Sequence, residues 1–199
     1  MAMASSRAQL IVDRLLQEFS PRRIAAYSFG MDNPDERLRL VTKLDKHRKR
    51  HKIDDYNGLE IFKSGDVIYA KGQRGLVYFV QFQDEKYRAL PGRHVTQIAV
   101  WSQYGNPPGL ARYVFWTHLF PIYGTMMTDS MQTEKGEGFW GHVLAEAFAK
   151  NLYVYRVNLV HLEITPIKDD GQLTALKPLL YGDHKRNENE RIVITDKPF

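Results

Sequence analysis

The sequence predicts an α+β fold, with a mixed, mainly antiparallel central sheet and flanking helices. Three observations carry this. Between residues 59 and 83, short β-rich runs alternate with turn residues, as in a strand meander. From Val95 to Tyr155 the order becomes strand, loop, helix, strand, helix, strand. Arg191-Ile192-Val193-Ile194-Thr195 then supplies a last strand that returns beside residues 153–160. A chain of 199 residues of which 43% are hydrophobic is long enough for one domain with an ordinary core. Its parts are a helical N-terminal part with a basic helix (1–58), a core (59–160) and a C-terminal loop and last strand (161–199).

Residues 5–19 carry a helical pattern that Ser20-Pro21 breaks, and Ile24 to Phe29 suits a first strand. Asn33-Pro34-Asp35-Glu36 is a helix start: a cap, a proline in the first turn, then acids at the positive dipole end. The helix is expected to run into Lys43 to Lys52, ten residues that include Lys46, Arg48, Lys49 and Arg50. This run is either a solvated helix end or a patch that contacts nucleic-acid phosphates. His47 and His51, four apart on such a helix, would share a face, but no third ligand follows at a diagnostic spacing for a metal.

Leu59-Glu60-Ile61-Phe62 and Asp66-Val67-Ile68-Tyr69 flank Lys63-Ser64-Gly65 as a hairpin, and Gly75 to Gln83 is a strong strand that Asp84-Glu85-Lys86 turns. Val95 to Trp101 is the next strand, followed by the breaker loop Ser102 to Pro108. Ala111, Val114, Phe115, His118, Leu119 and Ile122 then recur at helical steps, and Gly124 closes that helix. Thr125 to Thr128 is a short strand, about Thr133 to Lys150 a second amphipathic helix, and Leu152 to Val160 a strand. Beyond Val160 the pattern weakens to a turn at Asp169-Asp170-Gly171, a short helix over Leu173 to Leu180 and a charged loop from Lys185 to Glu190.

The composition bounds the chemistry. Without cysteine there are no disulfides, thiolate nucleophiles or cysteine zinc sites. No apolar run approaches the roughly 20 residues that span a bilayer, and the first residues lack the apolar centre of a signal peptide, so a cytoplasmic protein is expected. A net charge of +5 and a pI near 9.3 suit an anionic partner, either nucleic acid or a polyphosphate.

The junction at Pro108-Gly109 is where a polyphosphate would be held. A strand that turns through a glycine-containing loop into a helix leaves backbone N–H groups facing outward at the positive dipole end. Gly109 permits close approach, and Ala111 keeps the next turn slim. Asn106-Pro107-Pro108-Gly109-Leu110-Ala111, preceded by the strand Ile98-Ala99-Val100-Trp101, resembles the pyrophosphate loop of the GNAT superfamily of N-acyltransferases. The order of elements over roughly 60–160 is similar to that family's as well. The resemblance implies a GNAT-like domain that takes acetyl-coenzyme A or another acyl-coenzyme A as co-substrate. Asn106, Gly109, Leu110 and Ala111 would face the diphosphate, and a backbone N–H near Val100 or Trp101 would face the thioester carbonyl. The position near the end of the second helix, where many members carry a tyrosine acid, is Phe148.

Acyl transfer also needs a proton acceptor and donor. Asp129, Ser130, Tyr104 and Tyr123 are the candidates, with Tyr104 placed to protonate the leaving sulfur. Asp129 and Ser130 serve equally well as helix caps, and Gln132 and Thr133 suit helix initiation better than substrate reading. Trp101, Trp116 and Trp140 suit the core, and His118 and His142 are by default packed or exposed helix residues. The basic segment Lys43 to Lys52 points to a nucleic acid substrate, and phage proteins of the Mom type, which resemble this family and modify adenine in DNA, imply a nucleobase amine as one acceptor to expect. The alternative is a non-catalytic GNAT-fold protein that binds DNA or a host protein.

Overall fold

Two-residue turns build the first half of the sheet. Asn57 (φ 48°) and Gly58 (φ 79°) are both left-handed, the type I′ geometry that matches strand twist. They join β1 (His51–Tyr56) to β2 (Leu59–Ser64). Gly65, also left-handed at φ 63°, turns β2 into β3 (Val67–Gly72), and β4 (Gly75–Lys86) follows. The computed structural model describes residues 34–73, 75–86, 90, 94–102, 107–128, 134–169, 171–175 and 189–199. The helix and strand expected over 5–29 lie outside them.

The helix predicted from Pro34 is present as α1 (Pro34–Asp45), but it does not carry the basic run. The chain turns after Asp45, and His51 already begins β1. His47 and His51 therefore share no helix face. Among the described residues no cluster of three or more His, Asp or Glu is placed to hold a metal. Asp84, Glu85 and Lys86 likewise do not turn; they continue β4 opposite Thr96, Val95 and His94 of β5 (His94–Ser102).

After β5, a helical segment α2 runs from Leu110 to Tyr123 in three parts: α-helix over Leu110–Val114, π-helix over Phe115–Leu119 and α-helix over Phe120–Tyr123. Pro121 accounts for the wide turn. It has no N–H for the carbonyl four residues back, and its ring would collide there, so the turn before it widens. The extra residue rotates the last part of the segment about the helix axis. Val114, Phe115, Leu119 and Phe120 are buried, whereas Ile122, predicted to face inward, is 60% exposed. Gly124 (φ 64°) ends the segment as expected.

Next come β6 (Thr125–Met127), α3 (Glu134–Ala149), β7 (Tyr153–Asn158), β8 (Glu163–Ile167) and β9 (Glu190–Thr195). Asn151, left-handed at φ 56°, stops α3, and Leu152 N–H returns to the Ala147 carbonyl at 3.0 Å. A helical turn over 171–175 replaces part of the predicted turn, with Asp169 Oδ1 accepting from Gln172 N–H at 2.8 Å. No helix among the described residues is long and apolar enough to cross a membrane.

Among the described residues nine strands form one sheet in the order β1-β2-β3-β4-β5-β6-β9-β7-β8. Every neighbouring pair is antiparallel except β5 with β6. One face carries the main core, where Ile61, Ile68, Ala70, Val80 and Phe82 meet α2 and α3. The other face is covered by α1 through Leu44, Val41 and Leu40 on Phe62, Tyr69 and Phe79. Residues alternate between these faces as a pleated strand requires. A bulge opposite Ala70 and Lys71 breaks the alternation, placing Leu76 on the α1 side and Val77 with Tyr78 on the other.

β6 is bound more tightly on one side than on the other. Thr125, Met126 and Met127 pair with Thr195, Ile194 and Val193, and the Thr125 and Thr195 hydroxyls meet at 3.0 Å. Thr128 continues the ladder: its N–H donates to the Ile192 carbonyl at 2.9 Å, and its Oγ1 accepts from Ile192 N–H at 3.0 Å. Toward β5 only Thr96↔Met126 and Gln97↔Met127 pair. Thr128→Val is nearly isosteric and leaves the buried Ile192 N–H without its side-chain acceptor. The expected loss is about 1–3 kcal/mol, read from chemical denaturation, with faster amide exchange at Ile192. Unchanged stability and exchange would show that this bond does not hold β6.

Candidate functional site

The helix start predicted to meet phosphate is built as expected at its glycine. Gly109 has φ 83° and caps α2, and Tyr113 N–H reaches its carbonyl at 2.8 Å. Leu110 N–H points back to the Pro107 carbonyl at 3.4 Å, and Ala111 and Arg112 are the next first-turn donors, with no partner inside the helix. Leu110 is buried, while Gly109 and Ala111 are half-buried.

The edge strand fixes where this helix start lies. Tyr56 Oη donates to the Pro108 carbonyl at 2.9 Å, and its ring lies 4.5 Å from that of Tyr113. A Cβ at Gly109 would approach Tyr56 Oη to 3.3 Å. Arg112 Nη1 is bound to Glu146 at 2.7 Å, tying α2 to α3. Two residues before Tyr56, Asp54 gathers two donors from α2: the Tyr113 hydroxyl in a short hydrogen bond, and His118 Nε2 at 3.0 Å. The Tyr113 bond, the Asp55 N–H and the nearby His118 hold the Asp54 carboxyl below its usual range, and the same bond raises the Tyr113 hydroxyl.

The second feature is the opening between β5 and β6. Among the described residues the two parallel strands share no pair beyond Gln97 and Met127, and Thr128 bonds to Ile192 of β9 instead. Residues 98–102 of β5 stay paired with β4 on one side, and no described strand pairs with their other edge, the side toward β6 (the β5/β6 cleft). The chain as a whole matches no known family model, curated protein or solved structure.

The cofactor-binding residues fall into two groups. Val100 and Trp101 lie on the open edge of β5. Gly109, Leu110 and Ala111 lie over β1, at the other end of a row that runs Ser102, Tyr78, Ala70, Ile61, Asp54 across five strands. Four strand spacings of ~4.8 Å put Ser102 about 19 Å from Asp54. The helix start thus lies toward the β1 edge, and Val100 and Trp101 lie on β5. Asn106, Tyr104, Asp129 and Ser130 lie outside the described residues, as do Gln132 and Thr133. Tyr123 packs against Phe82 with ring centres 5.4 Å apart.

Phe148 lines a surface groove with Leu152, Val154 and Ile167. That groove includes Tyr153, which shares a row with Thr195 and Thr125 at the start of β6, whereas the β5/β6 cleft opens past the end of β6. Trp140 is core, as expected.

Of the four basic residues singled out, Lys46, Arg48 and Lys49 are exposed. Arg50 is committed to the fold: it pairs with Asp45 at 3.1 Å, donates to Tyr69 Oη at 3.2 Å and stacks 4.1 Å over Phe62. Sequence reasoning missed the joint role of Asp54, Tyr113 and His118. The available signal is the i, i+5 spacing of Tyr113 and His118, which shares a face only when a π turn intervenes, and Pro121 supplies the reason for one.

Proposed function

We propose that this chain is an acyl-coenzyme A-dependent N-acyltransferase of the GNAT type that acts on an amine. The observation that carries the reading is the short parallel pairing of β5 with β6, two residues long, beyond which no described strand takes up the edge of residues 98–102. The pantetheine arm of coenzyme A contains two amides. An open strand edge binds such an arm as it would an added strand, through main-chain hydrogen bonds. Along residues 98–102 a backbone N–H, near Val100 or Trp101, then meets the thioester oxygen as negative charge develops there. The amine nitrogen attacks the carbonyl carbon, the C–N bond forms, and the C–S bond breaks. One proton leaves the amine for a base, and one reaches the departing thiolate.

The Asp54–His118 pair is not that base. At about 19 Å from the Ser102 end of the cleft, it cannot touch the reacting atoms. Its geometry fits a clamp that fastens α2 to the edge strand. Asp129, Ser130 and Tyr104 keep the proposed proton-transfer roles. The diphosphate is assigned to Gly109, Leu110 and Ala111. The alternative, a GNAT-fold protein that binds DNA or a host protein without catalysis, draws support from the distance between that helix start and the cleft.

Calorimetric titration with acetyl-coenzyme A, followed by amide chemical shifts, tests the reading. Binding is expected, with shifts over residues 98–102 and at Met127 and Thr128. No heat at millimolar ligand with a folded chain overturns it. Shifts confined to Gly109–Arg112 overturn the transfer reaction too, because the thioester would then lie away from the cleft.

A further inference from the structure

We infer that the turn between α1 and β1 is a docking surface for the phosphodiester backbone of nucleic acid, contacted by Lys43, Lys46, Arg48 and Lys49. This stands apart from the acyl-donor reading, since it uses neither the cleft nor the helix start at Gly109. All four side chains are exposed. None of them forms an ion pair with a described residue, whereas Asp45, Lys52 and Asp54 nearby are already matched.

Those matches leave the surplus. Asp45 is held by Arg50 at 3.1 Å and by Lys71 at 2.9 Å. Lys52 takes both Asp55, at 2.8 Å, and Glu60, at 3.2 Å. Asp54 accepts from Tyr113 and His118. Asp66, on the adjoining hairpin turn, has the neutral Gln81 amide as its partner and is one acid set against the four cations. What remains at this corner is a group of four cations within seven residues.

The turn that presents them is fixed from several sides. His47 N–H bonds to the Leu44 carbonyl at 3.2 Å and Arg50 N–H to the His47 carbonyl at 3.0 Å. Lys49 N–H reaches His47 Nδ1 at 3.4 Å, and His51 Nδ1 lies 3.0 Å from the Lys49 carbonyl. Ser64 Oγ donates to the Leu44 carbonyl at 3.3 Å. The stack of Arg50 on Phe62 anchors the far end. A backbone held in this way loses little further freedom on binding, so the cations are set out in advance.

Their chemistry selects the partner. Residues 45–52 contain no apolar side chain, so nothing there would enter a lipid surface or fill an apolar protein pocket. A cluster of lysine and arginine on a rigid turn suits a closely spaced row of phosphates, whose condensed counterions it displaces.

The test is fluorescence anisotropy with a labelled duplex of about 20 base pairs of arbitrary sequence, in DNA and RNA forms, over a salt series. Four phosphate contacts predict a slope of log affinity against log salt near −3.6, at roughly −0.9 per contact. The variant Lys46→Ala, Arg48→Ala, Lys49→Ala is expected to bring the slope to about −0.9, with an unchanged thermal melt. The control Lys150→Ala, Lys168→Ala, Lys197→Ala removes the same charge elsewhere and is expected to leave the slope near its starting value. The inference fails if the wild-type chain binds neither duplex at about 50 mM salt, where nonspecific phosphate contacts are strong. It also fails if both triple variants lose affinity equally, or if anionic phospholipid vesicles or polyglutamate bind as tightly as nucleic acid.

Discussion

Phe115→Ala is expected to remove about 3–5 kcal/mol of stability and to lower the melting temperature by roughly 10 °C. Phe115 is fully buried on the π turn of α2. Its ring meets Phe120 at 6.2 Å, Phe139 at 6.0 Å and Trp140 at 5.7 Å, the last two edge to face. It is thus the point where α2 and α3 join over the sheet. Alanine leaves a void there, and helices bonded at Arg112–Glu146 and pinned on β1 are poorly placed to collapse into it. Ile122→Ala in the same segment is the natural control: its side chain is 60% exposed, and a change within ~0.5 kcal/mol is expected. If the two variants melt together, α2 is not packed as described.

That contrast also shows what the sequence made legible. The helical period from Ala111 to Leu119 is plain, and Gly124 marks its end. Proline at 121 is equally plain, yet its consequence is a one-residue shift of register that periodicity alone does not carry. So Ile122 reads as core and lies in solvent, while Tyr123 turns inward against Phe82. The β1–β2 hairpin is the opposite case: Asn57-Gly58 is a strong local signal for a type I′ turn, but the charges of His51 to Asp55 obscure the strand before it.

The basic run is misread for a different reason. Nothing local in Lys43 to Lys52 stops a helix. The stop comes from partners distant in sequence: Asp45 is drawn to Tyr69 and Lys71, and Arg50 to the face of Phe62. β8 is faint because it is an edge strand. Most of its side chains are exposed, and Pro166 weakens its β pattern, as edge positions tolerate. The cleft is invisible to pattern reading altogether, since it depends on β6 pairing for longer with β9, which lies more than sixty residues later, than with β5.

Arg156→Met is expected to cost about 2–3 kcal/mol at neutral pH, and the loss shrinks as the pH falls. Glu190, at the start of β9, has a side chain only 8% exposed. Arg156 grips both of its oxygens, Nε to Oε2 and Nη2 to Oε1, each at 2.9 Å, and Asn158 Nδ2 adds a third bond at 2.7 Å. The Arg156 bonds outweigh the burial of Glu190, and its carboxyl lies below the usual range. In the wild type this stabilisation is full above the unfolded carboxyl value and is lost as pH falls through the lower, folded value. Methionine keeps the stem of the side chain and removes the cation, leaving a buried carboxylate with the Asn158 amide and the charge of nearby Arg191. The largest cause of the lowered folded value is then gone, so that value rises toward the unfolded one and the variant loses less stability in acid than the wild type. A fully buried pair broken on one side loses about 3–5 kcal/mol, and the partial exposure of Arg156 sets the lower figure. Arg156→Met combined with Glu190→Gln should recover most of the loss and flatten the pH response. Stability of the single variant that declines toward acid in parallel with the wild type would show that Glu190 does not depend on Arg156 for its charge.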